Sequence, residues 1–293
     1  MGTKKIRVGS RESKLAVLQS QIVIDIIKKN CPEYEIELVT MKTTGDKILD
    51  RTLDKVGGKG LFVKELDRAL LEKEVDITVH SLKDVPMIIN DEIPISAYTK
   101  CECPYDVLVL PRDKNEIDFS KPIGSSSMRR AIQLKKIYPM ADIKPIRGNV
   151  ITRLKKLDDG EYSALVLAQA GLNRLGFQDR ISKVFTDIEI IPAAGQGVIA
   201  VQARKGENYD FLRYINDANS EICAKAERAF VRELDGGCSS PIAAFAKING
   251  DEITITGLFA DDKTTEIQKI SGNINDGETL GLELARRIKE VIF

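Results

Sequence analysis

Short strand patterns and helical periodicities alternate along this chain from Ile6 onward, and that alternation leaves few folds open. "IRVGS" and "YEIELVTMKT" have the apolar spacing of strands, and between them "SKLAVLQSQIVIDIIKKN" has helical periodicity behind a cap at Ser13. "GKGLFVKELDRALLEKE" predicts a second helix, and "EVDITV" a third strand that ends at His80. A βαβαβ order needs crossover connections and therefore a mostly parallel sheet. "YDVLVL" opens a second series, which runs through "PIGSSS", the helix "SMRRAIQLKKIY", the strand "IKPI", the helix "NVITRLKKLDD" and the strand "YSALVLA". Two α/β units in tandem follow, with a boundary near residues 99–104.

"IEIIPAAGQGVIAVQAR" is too apolar for a surface linker, so it reads as a crossing back, with "GVIAVQAR" as a strand added to the first unit. From Asn219 the pattern changes. A helix, "SEICAKAERAFVRELDGG", is expected to end at Gly236–Gly237. Strands joined by a hairpin at "NGDE" and a closing helix, "ETLGLELARRIKEVIF", complete a small α+β domain. The expected domains are 1–98 plus 196–216, 102–191, and 219–293.

The chain's 44 basic and 44 acidic residues cancel, which excludes a global attraction to nucleic acid or membrane. No run approaches the roughly 18 apolar residues of a membrane span, and "MGTKKIRVGS" is no apolar leader, so a cytoplasmic location is expected. Cys31, Cys101, Cys103, Cys223 and Cys238 are scattered and odd in number, against a disulfide framework. "CEC" lacks the usual zinc spacer and the single histidine cannot complete a site, so no metal is expected.

The cations fall in a pattern. Arg11 ends the first strand, Lys55 and Lys59 flank "VGG", and Lys83 follows the third strand. Ser125, Ser126 and Ser127 precede Arg129 and Arg130, Arg147 and Arg153 flank another helix start, and Arg174 follows "AGLN". A solvated face accounts for any one of these. Together they lie after strands and in first helical turns, where backbone N–H groups and the helix dipole already favour anions. The group argues for a polyanionic ligand between the two units, and arginine's planar fork suits carboxylates as well as phosphates. No Walker-type lysine motif is present.

"VGSRESKLA", "VGGKGLFVKEL", "HSLKDVP", "GSSSMRR", "IRGNV", "AGLNRLG", "PAAGQG" and "LDGGCSSPIA" resemble, in order, the motifs of the porphobilinogen deaminase (hydroxymethylbilane synthase) family, from about residue 6 to beyond 245. The resemblance implies two domains like those of periplasmic binding proteins and a third bearing a cysteine. It implies a transferase that condenses four porphobilinogen molecules, releasing ammonia, into linear hydroxymethylbilane on a dipyrromethane cofactor held through a thioether by Cys238. It further implies cofactor contacts from Lys83, Asp84, Ser125, Ser126, Ser127, Arg129, Arg130, Arg153 and Gly171. Substrate contacts would come from Arg11, Ser13, Lys55, Lys59, Phe62, Arg147, Arg174 and Gln196. A monomer is implied, with a transient hand-over of product to the next pathway enzyme. Ser125 stands where many relatives have threonine, which keeps the hydroxyl.

Residue chemistry and resemblance meet at Asp84. Porphobilinogen carries acetate and propionate, and losing its amine leaves a cation spread over the pyrrole. A carboxylate can protonate the leaving amine, stabilise that cation and later take the ring proton, with no histidine required. His80 is then structural, as are Cys31, Cys101, Cys103 and Cys223. A competing reading is a two-lobed polycarboxylate-binding protein without catalysis, which leaves the C-terminal domain and its cysteine loop unexplained. A LysR-type effector domain is disfavoured because no helix-turn-helix precedes the lobes.

Overall fold

The computed structural model describes residues 4–43, 63–207, 209–236, 241–261 and 264–292. The expectations at Lys55, Lys59, Phe62 and Cys238 lie outside the described residues.

The chain opens with β1 (Lys4–Arg11), α1 (Lys14–Asn30) and β2 (Tyr34–Met41). The Ser13 hydroxyl accepts the Ala16 N–H at 3.3 Å, the cap its sequence position predicts. Next come α2 (Lys64–Leu71), β3 (Ile77–Ser81), a single 3₁₀ turn over Leu82–Asp84, and β4 (Ile95–Tyr98). The α2 pattern predicted a helix through Glu74. It ends earlier because Lys73 takes a left-handed φ of 61° and Glu74 N–H turns back to Ala69 O.

The second series comprises β5 (Asp106–Val109), β6 (Ile123–Gly124), α3 (Met128–Ile137), β7 (Ile143–Lys144), α4 (Val150–Asp158), β8 (Ala164–Ala168), α5 (Gln169–Leu175) and β9 (Lys183–Val184). The chain then crosses back through β10 (Ile199–Ala203) and a short α6 (Leu212–Ile215). α7 (Ala218–Glu233), the strands β11 (Ile242–Asn249), β12 (Glu252–Ala260) and β13 (Thr265–Asn273), and α8 (Gly277–Ile292) complete it.

Among the described residues three sheets result, in the orders β2-β1-β3-β10-β4, β7-β6-β8-β5-β9 and β11-β12-β13. β2, β1 and β3 run parallel, and β10 lies antiparallel between β3 and β4, so the returning strand is the reversed member. The second sheet repeats the arrangement with β5 reversed between β8 and β9. "GVIAVQAR" thus joins the first sheet as its apolar pattern predicts, with all five residues of β10 buried. The architecture is α/β in two parts, followed by a small α+β layer whose antiparallel meander packs on α7 and α8.

The end of α7 departs from the sequence reading. Asp235, not a glycine, takes the left-handed position with φ 53°. Asp235 N–H reaches Arg232 O at 3.1 Å and Gly236 N–H reaches Val231 O at 2.9 Å, the paired bonds of a Schellman close. Gly236 serves packing instead, since a Cβ there would stand 2.7 Å from Ile242 Cδ1 and 3.0 Å from Val231 O.

Candidate active site

The turn after β3 is the centre of the site. β3 is buried from Ile77 to His80, which fixes the strand's end, and Leu82 N–H bonds Val198 O at 3.0 Å. Leu82 is wholly buried, leaving Lys83 and Asp84 half-buried at the sheet's carboxyl edge. The "PAAGQG" segment must come close to this turn. A Cβ on Gly195 (φ +73°) would meet Leu82 Cγ at 2.6 Å, and one on Gly197 (φ +95°) would meet Glu102 O at 2.4 Å. Only glycine satisfies both backbone and space there.

Between those glycines Gln196 is buried and connects the two α/β parts. Its Oε1 accepts from Lys83 Nζ at 3.1 Å, while its Nε2 donates to Pro104 O at 2.6 Å and to Asp106 Oδ1 at 3.1 Å. The Gln196 amide thus bridges Lys83 to Pro104 and Asp106.

Asp106, at the start of β5, is the residue sequence reasoning missed. It is fully buried and accepts from Arg129 Nη1 at 2.6 Å and from Arg130 Nε and Nη2 at 2.9 and 2.6 Å. Burial alone would raise its pKa, but the two guanidiniums hold it well below the usual carboxylate range. Arg129 also donates to Ile191 O at 2.7 Å and Arg130 to Val166 O at 3.0 Å. Both arginines therefore stand on an internal anion rather than reaching freely for a ligand, and one carboxylate cannot neutralise two cations. Asp106→Asn should destabilise the chain by roughly 3–5 kcal/mol in denaturant unfolding, because it leaves buried guanidiniums without their anion. A variant as stable as the parent would show that the pair is solvated.

Arg153 sits across from Asp84 at the start of α4, its Nε donating to Gly148 O at 2.8 Å. Its pKa is lowered to about 10, first by burial, then by repulsion from Arg130 and Arg147, while Asp84 raises it. Lys83 is pushed down to about 8, again by burial first and then by Arg130, with Asp84 and Asp106 opposing. Asp84 and Asp106 thus act on Lys83, Asp106 on Arg129 and Asp84 on Arg153, while Arg130 depresses all three and Arg147 depresses Arg153 as well. Crowded, half-desolvated like charges of this kind fit a ligand bearing several carboxylates.

The remaining expected residues divide. Ser127 precedes α3 without a side-chain capping bond, next to the arginine pair. Ser125 Oγ accepts the Ser127 N–H at 3.4 Å. Ser126 is committed to the loop, donating to Ile146 O at 2.5 Å and accepting from Ile146 N–H at 3.0 Å. Arg174 is not brought to the cluster. Its buried side chain pairs with Glu102 at 2.9 Å and donates to Gly197 O at 2.6 Å, which makes it a tie between α5 and the return segment. Gly171 faces α1, where a Cβ would stand 3.7 Å from Leu15. Ser13 is occupied as the α1 cap. Arg11 ends β1 close enough to His80 to lower its pKa, after burial, which is the larger cause; together they bring it to about 4. His80 is buried, shares a 2.9 Å hydrogen bond with Thr78, and is neutral near pH 7. It is no proton carrier there.

The C-terminal layer reaches the same turn. Glu227, buried on α7, accepts from Gly195 N–H at 2.7 Å and Ala246 N–H at 2.9 Å, and burial pushes its carboxyl up to about 7. Arg228 Nη1 donates to Val85 O at 3.1 Å, and its Nη2 to Pro86 O at 2.5 Å and Met87 O at 3.4 Å. Neither residue was singled out from sequence.

Residues 6–210 match the family model described as porphobilinogen deaminase, dipyromethane cofactor binding domain, and residues 221–290 match porphobilinogen deaminase, C-terminal domain. The chain belongs to the porphobilinogen deaminase family. It is 62% identical over 283 residues to the porphobilinogen deaminase of Acetivibrio thermocellus, covering 96% of this chain and 97% of that protein. Against that of Alkaliphilus oremlandii it is 59% identical over 286 residues, covering 97% of each. Among solved structures it is similar to the methionine binding protein MetQ, with a TM-score of 0.46 and 12% identity over 72% of this chain and 88% of that one. Porphobilinogen deaminase is a transferase of porphyrin biosynthesis that converts porphobilinogen to hydroxymethylbilane on a covalent dipyrromethane cofactor held by a cysteine. Among the described residues, no helix is long and apolar enough to cross a membrane, and no side-chain cluster could hold a metal ion.

Proposed function

We propose that Asp84 is the acid–base carboxylate of the deaminase reaction, that Cys238 holds the cofactor, and that the cations about Asp106 hold pyrrole carboxylates. The observation that carries this reading is that Lys83 and Arg153 lie in the field of Asp84, with Arg130 acting on both and Arg147 on Arg153. When bound, the dipyrromethane supplies the primer on which the chain of pyrroles grows. Lys83, Arg130 and Arg153 would hold its carboxylates, with the hydroxyls of Ser125 and Ser127 beside them, while Arg11 and Arg147 orient the incoming porphobilinogen. Lys55, Lys59 and Phe62 join the substrate side on the strength of the resemblance alone.

Asp84 would give its proton to the departing amine, face the substrate's pyrrole nitrogen as positive charge spreads onto it, and take back a proton once the new carbon–carbon bond has formed. Lys83 and Arg153 both lie within the field of this carboxylate, which favours their charged forms. The sheets support a division into residues 1–98 with 196–216, residues 102–191 and residues 219–293. A cytoplasmic monomer that passes its product directly onward completes the proposal, on the strength of the family resemblance.

The basic cluster is tested through Lys83. Because its ammonium is lowered to about 8, it is charged at pH 7 and loses that charge as pH rises through 8. A pyrrole carrying acetate and propionate but no aminomethyl group should bind the cofactor-free chain about tenfold more weakly at pH 9 than at pH 7. That is the loss of one charge-assisted hydrogen bond, about 1.5 kcal/mol. Lys83→Arg, whose guanidinium stays charged, should bind equally at both values by calorimetry. The same alkaline loss in Lys83→Arg would remove Lys83 from carboxylate binding.

A further inference from the structure

α7 brings three residues to the turn after β3 from a single face. Ala224 packs in the cluster formed by Leu82, Val85, Tyr98, Val198 and Ala200. Glu227 and Arg228, one turn further on at i+3 and i+4, share that face and are both buried. They grip different things. Arg228 spreads its two nitrogens over the carbonyls of Val85, Pro86 and Met87, immediately after Asp84. Glu227 holds the N–H of Gly195, immediately before the glutamine that hydrogen-bonds Lys83.

Buried Leu82 and Val85 and the Lys83–Gln196 bond anchor the turn, and Arg228 adds a grip on the carbonyls that follow Asp84. The segment is one 3₁₀ turn outside the sheet, with Val85 N–H returning only to Leu82 O, and Pro86 has no N–H to offer. Three successive carbonyls held by one planar fork define the direction in which the preceding Asp84 side chain leaves the backbone. A lysine would supply the charge but not the fork.

We propose that Arg228 and Glu227 are positioning residues, through which the C-terminal layer sets Asp84 and Lys83 separately. Arg228 acts on the reacting carboxylate, and Glu227 acts through Gln196 on the carboxylate-binding ammonium. The cysteine-bearing layer therefore also orients the catalytic turn. This inference rests on the reading of Asp84 as the acid–base group.

Its signature is a split that a merely structural pair would not give. In cofactor-loaded holoenzyme, Arg228→Lys should lower kcat by roughly 10–100-fold with KM for porphobilinogen little changed, since an ångström of misplacement costs about that much. Glu227→Gln keeps the shape but can accept only one of the two N–H groups. It should raise KM several-fold and leave kcat within about twofold. The cofactor's mass on the chain confirms loading in each case. In an Asp84→Glu background the carboxylate is already displaced, so adding Arg228→Lys should cost much less than it costs the parent.

Equal fold-losses in the two backgrounds, parallel changes of kcat and KM in both variants, or a loss that lies wholly in cofactor loading would each overturn the positioning role. Full activity of Asp84→Asn would instead overturn the reading of Asp84, so the two failures are distinct.

Discussion

Asp84→Asn should give a folded, cofactor-loaded chain that releases ammonia roughly 10⁴-fold more slowly than the parent, or slower still. Two contributions multiply. Removing one preorganised group that stabilises developing charge costs roughly 10²–10³ in rate. Removing a positioned proton donor and acceptor costs roughly 10²–10⁴ more. Asparagine keeps the size of the side chain, and the turn's backbone bonds, from Val85 N–H to Leu82 O and from Leu82 N–H to Val198 O, do not involve the carboxylate. Folding should survive, and the loss should lie in kcat. Asp84→Glu, with its charge moved by one methylene, should keep a small residual rate and accumulate partly elongated chains. Single-turnover ammonia release from loaded enzyme decides the matter: parental speed in Asp84→Asn would take Asp84 out of the chemistry.

Much of this was legible in the sequence, and what escaped has a common cause. Periodicity located α1, which buries one repeating face, and the returning β10 was legible as a continuous apolar run, buried on both faces. "KDVP" and "PAAGQG" were legible as loops beside strand ends, and Gly195 and Gly197 stand where side chains would strike Leu82 and Glu102. Asp106 was passed over as the second letter of the apolar run "YDVLVL", although a carboxylate opening four buried residues requires a cation, and "RR" was already in view. Glu227 and Arg228 lie in "AKAERAFV", where charges on a helix read as its solvated face; only the approach of another layer buries them. Arg174 has a partner that the sequence does not report. Its place after "AGLN" resembled the other cations, but its partner, Glu102, is distant in sequence, and no local pattern reports such a pairing. Local spacing finds elements and turns; the charged pairs that join one unit to another depend on contacts that spacing does not encode.

Cys238→Ser should produce a chain without cofactor and without activity. A thioether needs a sulfur nucleophile, and the thiolate is the reactive form, within reach of neutral pH for an ordinary thiol. A serine hydroxyl has no comparable anion at that pH and would need an adjacent base to attack carbon. Burial pushes Cys101 and Cys223 up to about 12, so these two sulfurs stay protonated near neutral pH, and it raises Cys31 as well. The end of α7 is held by the Schellman bonds of Asp235 and Gly236 and by the close packing of Gly236 beside Ile242 and Val231. None of those interactions depends on the sulfur, so the serine variant should fold. Its intact mass should equal the bare chain, whereas the parent should be heavier by two pyrrole units, on the peptide containing residue 238. Ehrlich-reagent colour, which reports the bound pyrroles, should vanish with the sulfur. Colour that persists in Cys238→Ser would place the attachment on another residue, and a bare parent chain with full turnover would show that catalysis needs no covalent primer.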